Sequence, residues 1–178
     1  MIKDLGSFTG IRIGVSTVMA FRDSLNIPCI GISSLESLAF NVKEDGFIAS
    51  ILDARNDNCY FALYKKENDK YIQIIEPSTD TICNALELIH TNIKDNSITT
   101  FVGDGAEVYI EQIVDKFTNP IFASNDKNTI SSYSLGLAGF CKYTENMNND
   151  ISDNDILPLY LKKPQAQIQL EKKESNLL

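Results

Sequence analysis

Apolar residues near the start of the chain recur at helical spacing and leave little room for a polar face. At about 100° per residue, the segment from Ile11 to Leu25 carries one broad apolar arc and a second arc of smaller side chains. Only Arg12, Ser16 and Asp23 form a clear polar strip. A helix that is apolar over most of its circumference is normally covered on more than one side. The pattern therefore predicts either a helix that meets both its own sheet and a partner, or a fully internal helix.

The segment Gly6-Ser7-Phe8-Thr9-Gly10 is predicted to open this helix. Ser7 and Thr9 can each accept hydrogen bonds from its first free amides, and the glycines allow close approach of the backbone. Such an opening could hold an anion, or it could simply start the helix. Because the chain has a single histidine and the helix that follows is too apolar to stand alone, we interpret the segment as the start of an association helix.

The rest of the chain alternates between strand-like and helix-like patterns. The predicted strands are 28–32, 47–53, 59–65, 71–76, 98–102 and 121–123, and the predicted helices are 33–42, 81–94, 106–117 and 130–143. Ser33-Ser34-Leu35-Glu36 matches the capping-box pattern at the start of one of these helices. Three strands joined by tight turns and followed by alternating helices and strands favour a three-layer α/β domain.

Polar stretches separate some of these elements. Pro77-Ser78-Thr79-Asp80 is predicted to end the third strand of the meander, with Asp80 as the N-cap of the next helix. The acidic, asparagine-rich segment 146–155 is predicted to be a mobile loop, and 157–162 to be short and extended. The polar segment 164–178 is predicted to be a frayed or disordered tail.

Charge and cysteine content limit the classes of protein to which this chain can belong. A net charge of −8 argues against an independent nucleic-acid surface, which relies on clustered Lys and Arg. The four cysteines lack a C-x-x-C pair, and three lie in apolar or amphipathic segments, where a free cysteine is a small buried hydrophobe. No signal peptide and no apolar run long enough for a bilayer are recognised. We therefore expect a reduced, cytoplasmic protein without a membrane segment.

Several motifs, in their order along the chain, resemble the TsaB (YeaZ) family of bacterial proteins. The first block is Gly-Ser-Phe-Thr-Gly-Ile-Arg-Ile-Gly at 6–14, followed by Asn-Ile-Pro-Cys-Ile-Gly-Ile-Ser-Ser-Leu-Glu at 26–36. Asp53-Ala54-Arg55, with Tyr60 shortly after, and Leu159-Tyr160-Leu161-Lys162 follow in the right order. The resemblance implies an α/β protein with the actin-like ATPase (ribonuclease H-like) fold.

The same resemblance implies a truncated first domain, because chains of the family begin well before the segment that corresponds to Gly6–Gly10. On this basis, residues 1–45 are a helix–strand–helix remnant of the first actin-like domain, and 46–163 form a complete second α/β domain. Residues 164–178 form the polar tail.

The resemblance also implies a function. Proteins of this family are non-catalytic partner subunits that support the TsaD transferase, with the ATPase TsaE, in forming threonylcarbamoyladenosine next to the tRNA anticodon. They pair with themselves or with TsaD through a helical bundle that includes the first helix found here. A homodimer is therefore expected, and direct tRNA binding is not. The predicted contact residues are Ile11, Arg12, Val15, Met19 and Arg22.

The sequence offers little independent catalytic chemistry. His90 is the only histidine and is interpreted as a surface or boundary residue. A histidine-built metal site would need a second one, and a serine or cysteine nucleophile would need a neighbouring base. No catalytic residue, cofactor or metal ligand is predicted. The alternatives are a glycoprotease-like (M22-type) hydrolase and a defective truncated remnant that self-associates through its apolar surfaces.

Two turns are also candidate sites. Gly103-Asp104-Gly105 lies between a strand and a helix, where actin-like ATPases often contact adenosine, but a lone G-x-G is usually a strand-to-helix turn. In the family, Asp53-Ala54-Arg55 faces the interdomain cleft. This sequence has Asp57 and Asn58 where the family commonly places Gly and Glu. The Asp53–Arg55 turn is therefore interpreted as a structural anchor.

Overall fold

The computed structural model describes residues 8–93, 97–145 and 157–161. The elements, in chain order, are α1 (Phe8–Leu25), α2 (Ser34–Ala39), β1 (Gly46–Asp53), β2 (Asn58–Glu67), β3 (Lys70–Thr81), α3 (Ile82–Asn92), β4 (Thr99–Val102), α4 (Asp104–Val108), α5 (Ile110–Lys116), β5 (Pro120–Phe122), a 3₁₀ turn (Asn125–Lys127) and α6 (Ser132–Glu145).

The five strands form one mixed sheet in the order β3-β2-β1-β4-β5. The pairs β1–β2 and β2–β3 are antiparallel, whereas β1–β4 and β4–β5 are parallel. Every position of β1 between Gly46 and Asp53 is buried. A strand with no exposed interior position is typical of the centre of a sheet that is covered on both faces.

Apolar clusters cover the two faces of the sheet. On one face, Phe61 and Phe101 pack with residues of α3 and α5 such as Ile89 and Ile113. On the other face, the cluster consists of α2 and the residues that follow it, together with alternate residues of the strands: Leu35, Leu38, Ala39, Val42, Ile48, Leu52, Ala62, Tyr64 and Val102. The sheet therefore lies between two helical layers, as the sequence pattern predicts.

The predicted strand 28–32 is wrong. Residues 27–33 have no regular secondary structure, and Cys29, Ile30 and Ile32 are only half-buried. A strand needs a neighbour to receive its amides and carbonyls, and none of the strands in the described ranges pairs with this segment. Its apolar, β-branched composition indicates burial but supplies no partner strand.

The predicted end of the third strand is also wrong, because β3 continues through Pro77–Asp80. Thr79 and Asp80 still pair with β2, and the register of this pairing shifts between Phe61 and Tyr64. Proline is tolerated here because β3 is an edge strand, where one side of the backbone makes no ladder bonds.

The start of α3 differs from the prediction by one residue. The N-cap is Thr81, whose hydroxyl accepts a hydrogen bond from the amide of Asn84. Asp80 supports this cap, since its Oδ1 accepts the Thr81 amide at 2.6 Å and the Asn84 side-chain amide at 2.9 Å. The predicted capping box of α2 is confirmed, because Ser33 Oγ accepts the Glu36 amide at 3.0 Å.

Other boundaries shift in smaller ways. The predicted helix 106–117 is two helices, α4 and α5, that meet at Tyr109. In α1, Phe8 is already helical, so Thr9 and Gly10 lie inside the helix rather than in a turn before it. Gly6 and Ser7, the predicted loop 146–155 and the predicted tail 164–178 lie outside the described residues.

Candidate interaction surface

Helix α1 is the least covered element of the described chain. None of the α1 residues whose exposure is described is buried, and several large apolar side chains are exposed. Ile13 is 62% exposed, Phe21 57% and Leu25 62%. Isolated apolar residues on a surface are ordinary, but a row of them along one helix marks a site of association.

The predicted contact residues divide between exposed and half-buried positions. Val15, Met19 and Arg22 are the half-buried positions of α1, whereas Ile11 and Arg12 are exposed. At helical spacing, Val15, Met19 and Arg22 share one side of the helix, so this side faces the rest of the chain.

The exposed side of α1 carries a different set of residues. We define the α1 stripe as the exposed apolar side chains on this side: Ile13, Val18, Phe21 and Leu25. Val18, Phe21 and Leu25 are three and four residues apart, which is the spacing of neighbouring turns on one helix side, and Ile13 lies about 80° from Phe21 around the helix. Sequence reasoning placed Val18, Phe21 and Leu25 on the same apolar arc as Val15, and could not separate the outward residues from those that face the chain.

Arg12 joins α1 to the far end of the described chain. Its Nε donates a hydrogen bond of 3.0 Å to Tyr160 Oη, and its guanidinium carbon lies 5.8 Å from the centre of that ring. The adjoining Leu159 is 63% exposed. Two of the blocks that carried the family resemblance, one at each end of the chain, therefore meet in the structure, which spacing along the sequence could not predict.

The Asp53–Arg55 turn is held by hydrogen bonds, in agreement with its interpretation as an anchor. Asp53 Oδ1 accepts the Tyr109 hydroxyl at 2.7 Å and the Arg55 amide at 2.9 Å, and the Asp53 amide donates to Asp104 Oδ1 at 3.1 Å. Burial, followed by the hydrogen bond to Asp53, raises the pKa of Tyr109 above its usual value. This network ties the end of β1 to the segment after β4.

The Gly103-Asp104-Gly105 turn is explained by close packing. Gly103 has φ of 107°, and a Cβ there would lie 2.2 Å from the carbonyl oxygen of Ile51. A Cβ on Gly105 would lie 2.7 Å from the Ile51 side chain. The Gly103 amide donates to Asn128 Oδ1 at 2.9 Å. The interpretation as a strand-to-helix turn is thus confirmed, with both glycines needed for contact with β1.

His90 and the cysteines are dispersed. His90 is exposed on α3 as predicted, and its ring meets the edge of Phe117 with centroids 5.4 Å apart. All four cysteines are free, but only Cys59 is buried, which corrects the expectation that three of them would be. Burial raises the pKa of the Cys59 thiol to about 12. Over the described ranges, no three His, Cys, Asp or Glu side chains are grouped to hold a metal ion.

Comparison with known proteins identifies the class. Residues 6–170 match the family model described as "TsaD: tRNA N6-adenosine threonylcarbamoyltransferase". A protein of Bacillus subtilis (strain 168) named "tRNA threonylcarbamoyladenosine biosynthesis protein TsaB" is 35% identical over 114 residues, which are 64% of this chain and 48% of that protein. A Haemophilus influenzae protein of the same name is 26% identical over 166 residues, covering 88% of this chain and 66% of that protein. The chain therefore belongs to this family, in its TsaB (YeaZ) group.

Solved structures support the fold. The structure titled "YeaZ from Pseudomonas aeruginosa" aligns with a TM-score of 0.63 at 19% identity, covering 89% of this chain and 70% of that one. Another, of an uncharacterized protein from Pseudomonas aeruginosa "with similarity to peptidase YEAZ", aligns with a TM-score of 0.65 at 22% identity and the same coverage. The predicted actin-like (ribonuclease H-like) fold is confirmed. The chain spans about half of the length of the Bacillus subtilis relative and about two thirds of the Haemophilus influenzae relative.

In the described ranges, no helix combines the length and the apolar character needed to cross a bilayer.

Proposed function

We propose that this chain is a non-catalytic partner subunit that binds and supports a TsaD-like transferase, together with a TsaE-like ATPase. In this role it contributes to forming threonylcarbamoyladenosine next to the tRNA anticodon. Membership of the TsaB group supports this proposal, because both of the TsaB relatives described above are named as tRNA threonylcarbamoyladenosine biosynthesis proteins. The proposal includes a homodimer as the state without the transferase, and a cytoplasmic location.

The observation that carries the proposal is the α1 stripe. Covering a fully exposed Leu, Ile or Phe side chain is worth about 1.5–3 kcal/mol. Since Ile13, Phe21 and Leu25 are each more than half exposed, a partner that covers them would gain several kcal/mol from these side chains. That gain offsets part of the roughly 4–15 kcal/mol that association costs in lost translational and rotational freedom, and the described part of the chain does not supply the cover.

The exposure pattern refines which residues we propose as contacts. Ile11 and Arg12 remain candidates at the exposed end of the helix, and the residues of the α1 stripe are added to them. Val15, Met19 and Arg22 are half-buried, so we propose that they hold α1 on its own chain and reach a partner only at the margin of the interface.

A supporting rather than catalytic role agrees with the placement of the side chains. His90, the single histidine, lies on the surface of α3, and no serine, threonine or cysteine in the described ranges is hydrogen-bonded to it. A net charge of −8 favours contact with a basic partner over direct contact with tRNA. The division into domains at residue 45 stays a prediction.

Co-purification with the TsaD-like transferase of the same organism tests the proposal. The chain is expected to bind, and Val18→Asp in the α1 stripe is expected to weaken binding because a carboxylate would be buried unpaired in the interface. Val114→Asp is the matched control, since Val114 is also an exposed valine but lies on α5. Failure of the unmodified chain to bind would refute the proposal. Equal binding by both variants would refute the assignment to α1.

A further inference from the structure

A cavity of about 350 Å³ lies between α2, the β2–β3 hairpin and α6. This volume is at the small end of the range for small-molecule sites. The cavity contains none of the residues of the α1 stripe, so an inference about it does not depend on the proposed function. Its polar lining includes Glu36, Tyr64, Asp69, Lys70, Lys142 and Glu145.

Tyr64, which lines this cavity, has a buried hydroxyl without a hydrogen-bond partner. The residue is 2% exposed, and its Oη has no hydrogen-bond partner in the described structure. Burial raises the pKa of Tyr64 above its usual value, and the nearby Ser33 hydroxyl, which accepts the Glu36 amide, opposes this increase. A buried hydroxyl without a partner is costly and rare in native proteins. An acceptor brought by a ligand would satisfy it.

The aromatic side chains of the cavity are already engaged. The rings of Phe40 and Tyr71 are stacked with their centroids 3.9 Å apart, and Lys66 Nζ lies 5.8 Å from the centre of the Tyr71 ring. The Tyr71 hydroxyl donates to the Val42 carbonyl at 2.8 Å. A flat ligand such as a nucleobase would have to displace these contacts in order to stack. The groups left to recognise a ligand are therefore polar.

Charges of both signs line the same cavity. Glu36, Asp69 and Glu145 are acidic, whereas Lys70 and Lys142 are basic. Lys142 also donates a hydrogen bond of 3.1 Å to the carbonyl of Gly31, in the segment that precedes α2. A ligand of a single charge would be repelled by one of these two sets. A ligand that carries both charges is attracted by both.

We propose that this cavity binds a small zwitterion of the α-amino acid class. Its ammonium group lies towards Glu36 and Glu145, and its carboxylate lies towards Lys142 and accepts the hydrogen bond of Tyr64 Oη. Burial raises the pKa of the Glu36 carboxyl, and Lys142 and the backbone amide of Ser33 oppose this increase.

Titration calorimetry of the full chain with each of the common L-amino acids tests the proposal. At least one is expected to bind, and its affinity is expected to fall about tenfold or more when its amine is acetylated or its carboxyl is amidated. No binding by any of these amino acids would overturn the proposal. Equal binding of the acetylated and amidated forms would also overturn it.

Substitutions locate the site. Tyr64→Phe removes only the hydroxyl, so the ligand-free protein is expected to melt at the same or a higher temperature while the affinity falls about tenfold. Glu36→Gln keeps the capping box and is expected to weaken binding similarly. Lys116→Met on α5, which removes an ion pair with Glu87 on α3, is the control and is expected to bind normally. Unchanged affinity in Tyr64→Phe would place the ligand elsewhere and refute the assignment.

Discussion

Helix α1 and strand β1 are both strongly apolar, yet their surroundings are opposite. In β1 every interior position is buried, since β2 pairs on one side, β4 on the other, and helices cover both faces. In α1, none of the residues whose exposure is described is buried. Apolar character alone therefore does not show whether a segment is covered. Whether the chain itself provides the cover is decided by its neighbours in space.

The comparison predicts that equal substitutions have unequal effects in the two regions. Phe101→Ala, in strand β4 beside β1, removes a fully buried ring that packs edge-on against Phe117 with centroids 4.9 Å apart. The free energy of unfolding is expected to fall by about 3–5 kcal/mol. Denaturant unfolding followed by circular dichroism would measure it.

Phe21→Ala is the matched change in α1. Its ring is 57% exposed, so the free energy of unfolding of the separate chains is expected to change by less than about 0.5 kcal/mol. A loss in Phe21→Ala as large as that in Phe101→Ala would mean that the chain itself covers α1, and the contrast between the two regions would be wrong.

A smaller effect is expected from the capping residue of α2. Ser33→Ala removes the acceptor of the Glu36 amide and should lower the free energy of unfolding by about 1 kcal/mol. Ser16→Ala on the exposed surface of α1 serves as the control, and should be neutral because alanine favours a helix. The same unfolding measurement applies, and an unaffected Ser33→Ala variant would show that packing alone fixes α2.

The smallest expected effect is a pH dependence at Glu36. Burial raises the pKa of Glu36 above 4.5, so the folded chain keeps this proton to higher pH than the unfolded chain does. The resulting stability is fully present below the unfolded pKa and is lost as pH rises through the folded pKa. Glu36→Gln should therefore match the parent in acid and exceed it at neutral pH, by less than the Ser33→Ala effect.

Thermal melts from acid to neutral pH would measure the difference in stability between Glu36→Gln and the parent. Glu111→Gln on the surface of α5 is the control. A Glu36→Gln variant that is less stable than the parent at neutral pH would contradict the sign of the pKa shift.

Sequence patterns correctly predicted the elements that are stabilised by contacts between neighbouring residues. The capping box of α2, the meander and the glycine turn before α4 follow from residues close together in sequence. The segment 28–32 was mispredicted because a strand depends on a distant partner that its own residues do not reveal. The continuation of β3 through Pro77 was missed because edge position is a property of the whole sheet.

The candidate surface was predictable only in part. The family resemblance and the apolar arc indicated α1. The arc was too broad to distinguish Phe21, which is exposed, from Val15, which is half-buried. The cavity beside Tyr64 had no sequence signal, because its residues come from elements far apart in the chain.

Light scattering of the purified chain tests most directly whether α1 is covered by a second chain. The unmodified chain is expected to have about twice the mass of its 19.9 kDa monomer at high concentration. Phe21→Asp is expected to shift the mass to that of the monomer while circular dichroism shows that the chain stays folded, and Val114→Asp is expected to keep the dimer. A monomeric mass for the unmodified chain at every concentration would contradict this account.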